Sequence, residues 1–207
     1  MDIIRFPVGV FQSNCYFLIH EDHCVIIDPG DSADFLLEEL SRRKLTLDAI
    51  IATHGHFDHI MAVGEIQSSY PIPFYMHQSD RFLVDRLSAT VRHFLPTADP
   101  LLPIVSISEL KEGEMHVGDF DGLHILHTPG HTPGSCCIMM PSKQIICTGD
   151  TIFKEGIGRY DYSYSDKQVL KESLSRLNNL GEVYTMCPGH GEESLLHVET
   201  EYALTLF

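Results

Sequence analysis

The chain has 207 residues, of which 43% are hydrophobic and 21% charged, and this ordinary globular composition argues against extensive disorder. Its 14 basic and 29 acidic residues give a formal net charge of −15, which disfavours nucleic acid and anionic membranes as partners. No signal peptide and no apolar run of membrane-spanning length is present, so we expect a cytoplasmic protein.

The first half of the chain alternates between strand patterns and helix patterns. Residues 14–20 and 23–28 are apolar and rich in β-forming residues, which predicts two strands joined by a short turn. The apolar spacing over 32–44 predicts a helix with Ser32 as its N-cap. Further strands are predicted over 47–53 and 73–77, and further helices over 58–69 and 79–87.

A Pro-rich stretch, 88–104, predicts a long loop, and loops of this length in compact domains are often functional. The second half repeats the order of strands followed by helices. Two similar halves predict two sheets that pack face to face with helices outside. The strands are predicted over 115–120, 123–128, 135–140, 144–149 and 182–187, and the helices over 166–178 and 194–204.

The cysteines form no Cys-x-x-Cys pair and most of them lie inside apolar strand patterns. This spacing disfavours a zinc–cysteine site and predicts buried, reduced thiols that act as small core residues. The six residues are Cys15, Cys24, Cys136, Cys137, Cys147 and Cys187.

Residues 53–60, THGHFDHI, concentrate three histidines and one aspartate at the end of a predicted strand. His54 and His56 are two apart on extended chain, so their side chains point the same way. Asp58 and His59 follow where a helix is predicted to begin. Imidazole and carboxylate groups are the ligands that zinc takes in sites that react, so the segment predicts a reactive metal site.

Three more residues of the same type stand beside glycine after predicted strands. They are His131 in TPGHTPGS, Asp150 in CTGDTIF and His190 in CPGHGEE. Because loops at one edge of a sheet bring the ends of distant strands together, we expect these residues to join the histidine-rich segment in one site.

The order and context of these seven residues resemble those of the metallo-β-lactamase superfamily, and the resemblance extends over residues 14–191. It implies an αββα sandwich, in which two mixed β-sheets are flanked by helices, with a dinuclear metal site at one edge. It also implies a single domain over residues 1–207, without a separate helical C-terminal domain.

The resemblance further implies how the ligands divide between two divalent metal ions, for which zinc is the first choice and iron and manganese are alternatives. Asp150 would bridge the two ions, and Asp28 would orient ligands from behind. The other ligands would be His54, His56 and His131 for one ion and Asp58, His59 and His190 for the second.

Residues 149–159, GDTIFKEGIGR, resemble glyoxalase II, the hydroxyacylglutathione hydrolase, in its short bacterial form. The resemblance implies an enzyme that cleaves a thioester such as S-lactoylglutathione to a hydroxy acid and a free thiol. The nucleophile would be a hydroxide that bridges the metals and that Asp58 helps to orient. The expected partner is therefore a small, glutathione-derived thiol ester, and Lys154 and Arg159 are candidates for binding its carboxylates, with solvated loop charges as the alternative.

Other readings stay open at this point. Persulfide dioxygenases share the GxGR pattern and would use one iron on His56, His131 and Asp150. Metal content separates this oxidoreductase from the hydrolase, because one ferrous ion replaces two zinc-like ions. A non-catalytic scaffold is disfavoured by the full ligand set. Tyr160, Tyr162 and Tyr164 could each line the pocket or pack against the protein core. The sequence does not indicate an oligomeric state.

Overall fold

The computed structural model describes residues 1–118, 120–181 and 183–207. In it, two mixed β-sheets pack face to face, and helices cover their outer faces. This architecture confirms the predicted αββα sandwich. The strands of the first sheet, in spatial order, are β1 (Asp2–Val8), β2 (Ser13–His20), β3 (His23–Ile27), β4 (Thr46–Ile51), β5 (Phe74–Met76) and β6 (Ser108–Glu109). Its helices are α1 (Ala33–Arg43), α2 (Phe57–Ile60), α3 (Val63–Ser69), α4 (Arg81–Asp85) and α5 (Leu87–Phe94).

The second sheet has the spatial order β14, β13, β10, β9, β8, β7, and β11 pairs with β12 in a small hairpin beside it. None of the helices in the described ranges is long and apolar enough to cross a membrane. The strands are β7 (Gly113–Val117), β8 (Phe120–His127), β9 (Cys136–Met140), β10 (Ile145–Gly149), β11 (Ile152–Phe153), β12 (Gly156–Ile157), β13 (Thr185–Pro188) and β14 (Ser194–Leu195), and the helices are α6 (Lys167–Asn178) and α7 (Leu196–Leu204).

Side chains that alternate along each strand face different layers of the sandwich. On β3, Val25 and Ile27 face the second sheet, whereas Ile26 packs under the helices of the first. On the second sheet, Ile138 faces the first sheet and Met139 packs under α6 and α7. Each fully buried aliphatic side chain contributes roughly 1.5–3 kcal/mol of transfer free energy, so strand register determines which layer each residue stabilises.

Parallel pairing brings the functional strand ends to one edge. Strand β4 is parallel to β3 and to β5, and β13 is parallel to β10, so the carboxyl ends of each group lie together. Two backbone hydrogen bonds tie the sheets at this edge. Cys136 donates to the carbonyl of Thr53 over 2.8 Å, and Asn14 donates to that of Gly189 over 2.7 Å.

The helix predicted over 58–69 is two helices, α2 and α3. The carbonyl of Asp58 accepts a hydrogen bond from the Ser13 hydroxyl, and the amide of Ala62 donates to the carbonyl of Pro29 over 3.1 Å. Because these partners lie on other segments, the helix breaks between Ile60 and Val63. Ser32 does precede α1, but its side chain makes no capping hydrogen bond.

The prediction of a loop over 88–104 was wrong for its first part, since α5 continues to Phe94. Leu87 and Val91, four residues apart, are buried and hold one face of α5 on the core. The single strand predicted over 115–120 is also interrupted, because the chain turns at Gly118 with a φ of +54°. Asp119 and Glu182, which the predictions had placed in strands, lie outside the described residues.

The edge strand β1 was not predicted. It pairs with β2 along its whole length, from Asp2 opposite Ile19 to Val8 opposite Ser13. Its side chains are mostly half-buried, and it carries Pro7, which is tolerated at an edge. The pattern therefore lacks the continuous apolar run that identified the inner strands.

We expect the six cysteines to resist modification in the native protein. All are free and buried, and burial raises the pKa of Cys15 and Cys136 well above their usual range and that of Cys137 to about 11. A thiol reacts as an accessible thiolate, so a disulfide reagent such as DTNB should titrate almost no thiol before denaturation and all six afterwards. Rapid reaction of one thiol per native chain would contradict this packing.

Candidate metal site

The seven predicted metal ligands come together at the edge where the parallel strands end. They lie on the segment after β4 and the start of α2, and on the loops that follow β8, β10 and β13. Glycine is required at one contact, because a side chain at Gly189 would collide with the Asp150 carboxylate. The seven residues are His54, His56, Asp58, His59, His131, Asp150 and His190.

The first cluster contains three imidazoles and one carboxylate oxygen. Nδ1 of His56 lies 3.1 Å from Nε2 of His54 and 3.0 Å from Nε2 of His131. Oδ2 of Asp150 lies 3.6 Å from the same nitrogen of His131. The three ring nitrogens and the oxygen therefore face a common centre.

The second cluster joins the first through Asp150. Oδ1 of Asp150 lies 3.4 Å from Nε2 of His59 and 3.8 Å from Nε2 of His190. Asp58 completes the group, since its Oδ2 is 3.3 Å from Nε2 of His190. The two oxygens of one carboxylate thus face two separate groups of donors.

Hydrogen bonds behind the imidazoles determine which nitrogen faces inward. The Thr53 hydroxyl donates to Asp28 over 2.6 Å, so it accepts from Nδ1 of His54 over 3.0 Å. Nδ1 of His59 donates to the same carboxylate over 3.0 Å, and Nδ1 of His131 donates to the carbonyl of Arg159 over 2.8 Å. Each of these rings therefore turns an Nε2 lone pair towards the centre, which is the tautomer that a metal needs.

Burial and neighbouring charges set the protonation of the clusters. Burial lowers the pKa of His56 to about 3 and that of His54 well below its usual range, so both rings are neutral. Burial also opposes charge on His59, but the carboxylates of Asp150 and Asp58 outweigh it and raise its pKa. Burial disfavours ionised Asp150, yet His59, His54 and His131 hold its pKa well below the usual range. The neutral imidazoles of His54 and His56 beside the ionised carboxylate of Asp150 are a donor set of the kind found in reactive metal sites.

One oxygen of the Asp150 carboxylate favours a cation at this site. Oδ1 of Asp150 is buried and has no hydrogen-bond partner among the described residues. A buried carboxylate oxygen without a partner is costly unless a cation or a water molecule contacts it. Donors held at about 2.0–2.1 Å from a tetrahedral ion lie roughly 3.4 Å apart, which is close to the separations here. The donor set therefore fits two divalent ions that share Asp150.

A second buried carboxylate, Asp80, was missed by the sequence analysis. It accepts hydrogen bonds from the amide of Gly55 over 2.8 Å, the amide of Gly134 over 2.7 Å and the hydroxyl of Thr132 over 2.7 Å. It thereby joins the loop that carries His54 and His56 to the loop that carries His131. No local sequence signal marked Asp80, because its partners lie on distant segments.

The cavity over the site has a volume of about 550 Å³. Tyr162 and Tyr164 both line it, and the Tyr164 hydroxyl lies 2.8 Å from Nε2 of His56. Tyr160 is not among the lining residues. His127, at the end of β8, donates a 2.9 Å hydrogen bond from Nε2 to the carbonyl of Pro133.

The two predicted substrate cations differ in position. Arg159 lines the cavity, but its guanidinium makes two hydrogen bonds to Asp161, of 2.9 and 2.8 Å. Lys154 is exposed, pairs with Glu192 over 2.6 Å and is not among the lining residues. Both charges therefore have carboxylate partners already.

Comparison with known proteins places this arrangement in a family. The model of the Metallo-beta-lactamase superfamily matches residues 8–190. The chain belongs to this superfamily. Metal-dependent hydrolases are found among its relatives, so the chain is an enzyme of the metallo-hydrolase kind with a site suited to divalent metal.

Two curated relatives cover nearly the whole chain. A probable metallo-hydrolase of Bacillus subtilis, YqgX, is 36% identical over 92% of this chain and 90% of its own length. The hydroxyacylglutathione hydrolase GloC of Haemophilus influenzae is 32% identical over 96% of this chain and 95% of its own.

Two solved structures share the fold and much of the sequence. TTHA1623, in a di-iron-bound form, is 32% identical with a TM-score of 0.87, covering 97% of this chain and 98% of its own. The B3 metallo-beta-lactamase BLEG-1 is 30% identical with a TM-score of 0.89, covering 99% of both chains.

We predict that the protein binds about two divalent ions per chain and that Asp150→Asn lowers the occupancy of both sites, because one carboxylate faces both clusters. Elemental analysis after purification without chelator measures this, with Asp99→Asn, in the exposed loop, as the matched control. Binding should weaken in acid, since the imidazoles must be neutral. Unchanged metal content in Asp150→Asn would contradict the shared carboxylate.

We predict that Asp28→Asn weakens metal binding by roughly 10–100-fold, because the amide NH2 that replaces one carboxylate oxygen cannot accept the hydrogen bonds that this oxygen accepts from Thr53 or His59. Competition against a chromogenic chelator measures the affinity, and circular dichroism checks that the variant is folded. A folded variant with wild-type affinity would show that Asp28 does not orient the ligands.

Proposed function

We propose that this metallo-hydrolase cleaves thioesters, with S-lactoylglutathione as a representative substrate and a hydroxy acid and a free thiol as products. The observation that carries the proposal is the pair of donor clusters that share Asp150 at the base of an open cavity of about 550 Å³. The relative GloC, named as a hydroxyacylglutathione hydrolase, supports a thioester as the bond cleaved.

The seven clustered residues are the proposed ligands of two divalent ions, with zinc as the first choice and iron supported by the di-iron form of TTHA1623. When bound, such ions would lower the pKa of a water molecule at the site and polarise the substrate carbonyl. Asp28, together with Thr53, would keep the imidazoles of His54 and His59 in the metal-binding tautomer.

Asp58 is the proposed proton acceptor that orients the attacking water. Burial raises the pKa of Asp58, but His59 and His190 outweigh burial and lower it below the usual range. The carboxylate is therefore ionised at neutral pH and can accept a hydrogen bond. Its side chain lines the cavity, so it is within the space where the substrate would lie.

Arg159 remains the better of the two proposed substrate cations because it lines the cavity. Its guanidinium also lies 4.7 Å from the centre of the Tyr162 ring, which fixes its plane against the cavity wall. Lys154 would have to leave Glu192 and move to contact the same substrate, so we do not assign it a role. The proposed partner is a small molecule in either case.

Two other activities define the tests. A persulfide dioxygenase would use one iron on His56, His131 and Asp150, and this reading leaves the second cluster of Asp58, His59 and His190 without a role. A β-lactamase activity is suggested by the likeness to BLEG-1. Oxygen uptake with a persulfide would identify the first, and hydrolysis of nitrocefin the second.

We predict that the metal-loaded enzyme hydrolyses S-lactoylglutathione without oxygen uptake, and that His56→Ala lowers kcat/KM by at least about 100-fold because a ligand of the reacting centre is lost. His197→Ala, an exposed histidine on α7, is the matched control and should retain activity. Loss of the thioester at 240 nm and an oxygen electrode provide the two readouts. Full activity in a folded His56→Ala variant would refute the metal-dependent mechanism.

A further inference from the structure

Helix α5 presents one face to the cavity above the metal ligands. Arg86 immediately precedes the helix, Thr90 lies near its middle and Phe94 ends it, and all three line the cavity. Residues four apart lie on the same face of a helix. At 1.5 Å per residue, this face places Arg86 and Phe94 about 12 Å apart along the cavity wall. The neighbouring face, with Leu87 and Val91, is buried in the core.

The Phe94 end of this face is an aromatic wall. Phe94 is 54% exposed, and its ring stacks on that of Phe57 with centroids 5.2 Å apart and an angle of 6°. Phe11, which is 39% exposed, meets the Phe57 ring edge-on at 5.1 Å. Phe57 stands between two proposed ligands in the sequence, so the wall begins at the site itself. Exposed aromatic surface beside a reactive centre is suited to an apolar ligand group.

The Arg86 end of the face carries a cation that stacks on an aromatic ring. Its guanidinium lies 5.7 Å from the centre of the Phe82 ring and forms no ion pair with any described residue. Phe82 contacts Tyr164 at 5.2 Å, and Tyr164 contacts His56, so the cation belongs to the same cavity. The guanidinium fork matches a carboxylate, and among residues 1–118, 120–181 and 183–207 no carboxylate pairs with it.

We propose that the α5 face selects the substrate, an inference that rests on the proposed thioester hydrolase function. Phe94, with Phe57 and Phe11, would bind a bulky apolar substituent on the acyl group, and Arg86 would bind a carboxylate on the thiol. The substrate class is then a thioester of an acidic thiol whose acyl group is larger and more apolar than lactoyl. The reacting carbonyl lies between the two ends, over the metal ligands.

The acyl end is tested with S-mandeloylglutathione and S-lactoylglutathione, which differ only in that a phenyl group replaces a methyl group. The metal-loaded wild type should have the higher kcat/KM for the mandeloyl thioester. Phe94→Ala should lower the ratio of kcat/KM for the mandeloyl thioester to kcat/KM for the lactoyl thioester by about fivefold or more, since one aromatic contact is lost. Phe35→Ala is the matched control, because Phe35 is 42% exposed on α1 and outside the cavity lining, and it should keep the ratio.

The thiol end is tested with lactoyl thioesters of glutathione and of N-acetylcysteamine, which lacks carboxylates. Arg86→Gln should raise KM for the glutathione thioester by about tenfold and leave KM for the other thioester nearly unchanged, because a charged hydrogen bond is lost only with the first. Arg81→Gln is the matched control, since Arg81 lies on α4, is exposed and pairs with Asp85.

The outcomes separate this inference from the proposed function. If the metal-loaded wild type hydrolyses none of these thioesters, the proposed function fails and the inference fails with it. If it hydrolyses them but Phe94→Ala and Arg86→Gln change neither selectivity, only the recognition role of α5 is refuted. The proposal would also be refuted if Phe94→Ala changed the selectivity for the thiol and Arg86→Gln changed the selectivity for the acyl group. The substrate would then bind in the reverse orientation.

Discussion

The hydrogen bonds of the buried Asp28 carboxylate orient histidines in both clusters of proposed metal ligands. Asp28 stands at the end of β3 with a φ of +52° and accepts from the amide and hydroxyl of Thr53 and from Nδ1 of His59. Thr53 in addition orients His54, so one side chain determines the tautomer of a ligand in each cluster. Burying an anion is costly, and these three hydrogen bonds offset that cost only when β3 and β4 are parallel and in register.

Asp80 plays the same structural part for the loops on the other side. Both carboxylates lie behind the ligands, and both bind backbone amides of segments that carry histidines. A flexible loop that held a ligand by itself would lose conformational entropy each time a metal bound. Here folding has already met that cost, because buried hydrogen bonds hold the segments in place. The site is therefore preorganised by groups that need not touch either ion.

The sequence predicted the layers and the residues that cluster at the sheet edge, because local patterns mark both. Alternating apolar residues identified the inner strands, and HGHFDH placed three histidines and one aspartate on one short segment. Features that depend on distant partners were missed. The break after Ile60 requires Ser13 and Pro29, and Asp80 has a role only where Gly55 and Gly134 meet. Helix α5 was not predicted, because it begins a Pro-rich stretch and few apolar residues form its buried face.

The structure separates the groups that would perform the chemistry from those that would choose the substrate. The clustered histidines and aspartates lie after buried strands or in α2, and the buried carboxylates of Asp28 and Asp80 hold segments that carry several of them, so a substitution there disturbs hydrogen bonds in the core. The α5 face and Phe11 are largely exposed and support little else, so they can change without loss of the ligand set. A relative named as a hydroxyacylglutathione hydrolase and one named as a β-lactamase are 32% and 30% identical to this chain, so similarity at this level accompanies different named activities. Membership of the superfamily therefore argues for the metal chemistry, whereas the substrate has to be argued from the walls of the cavity.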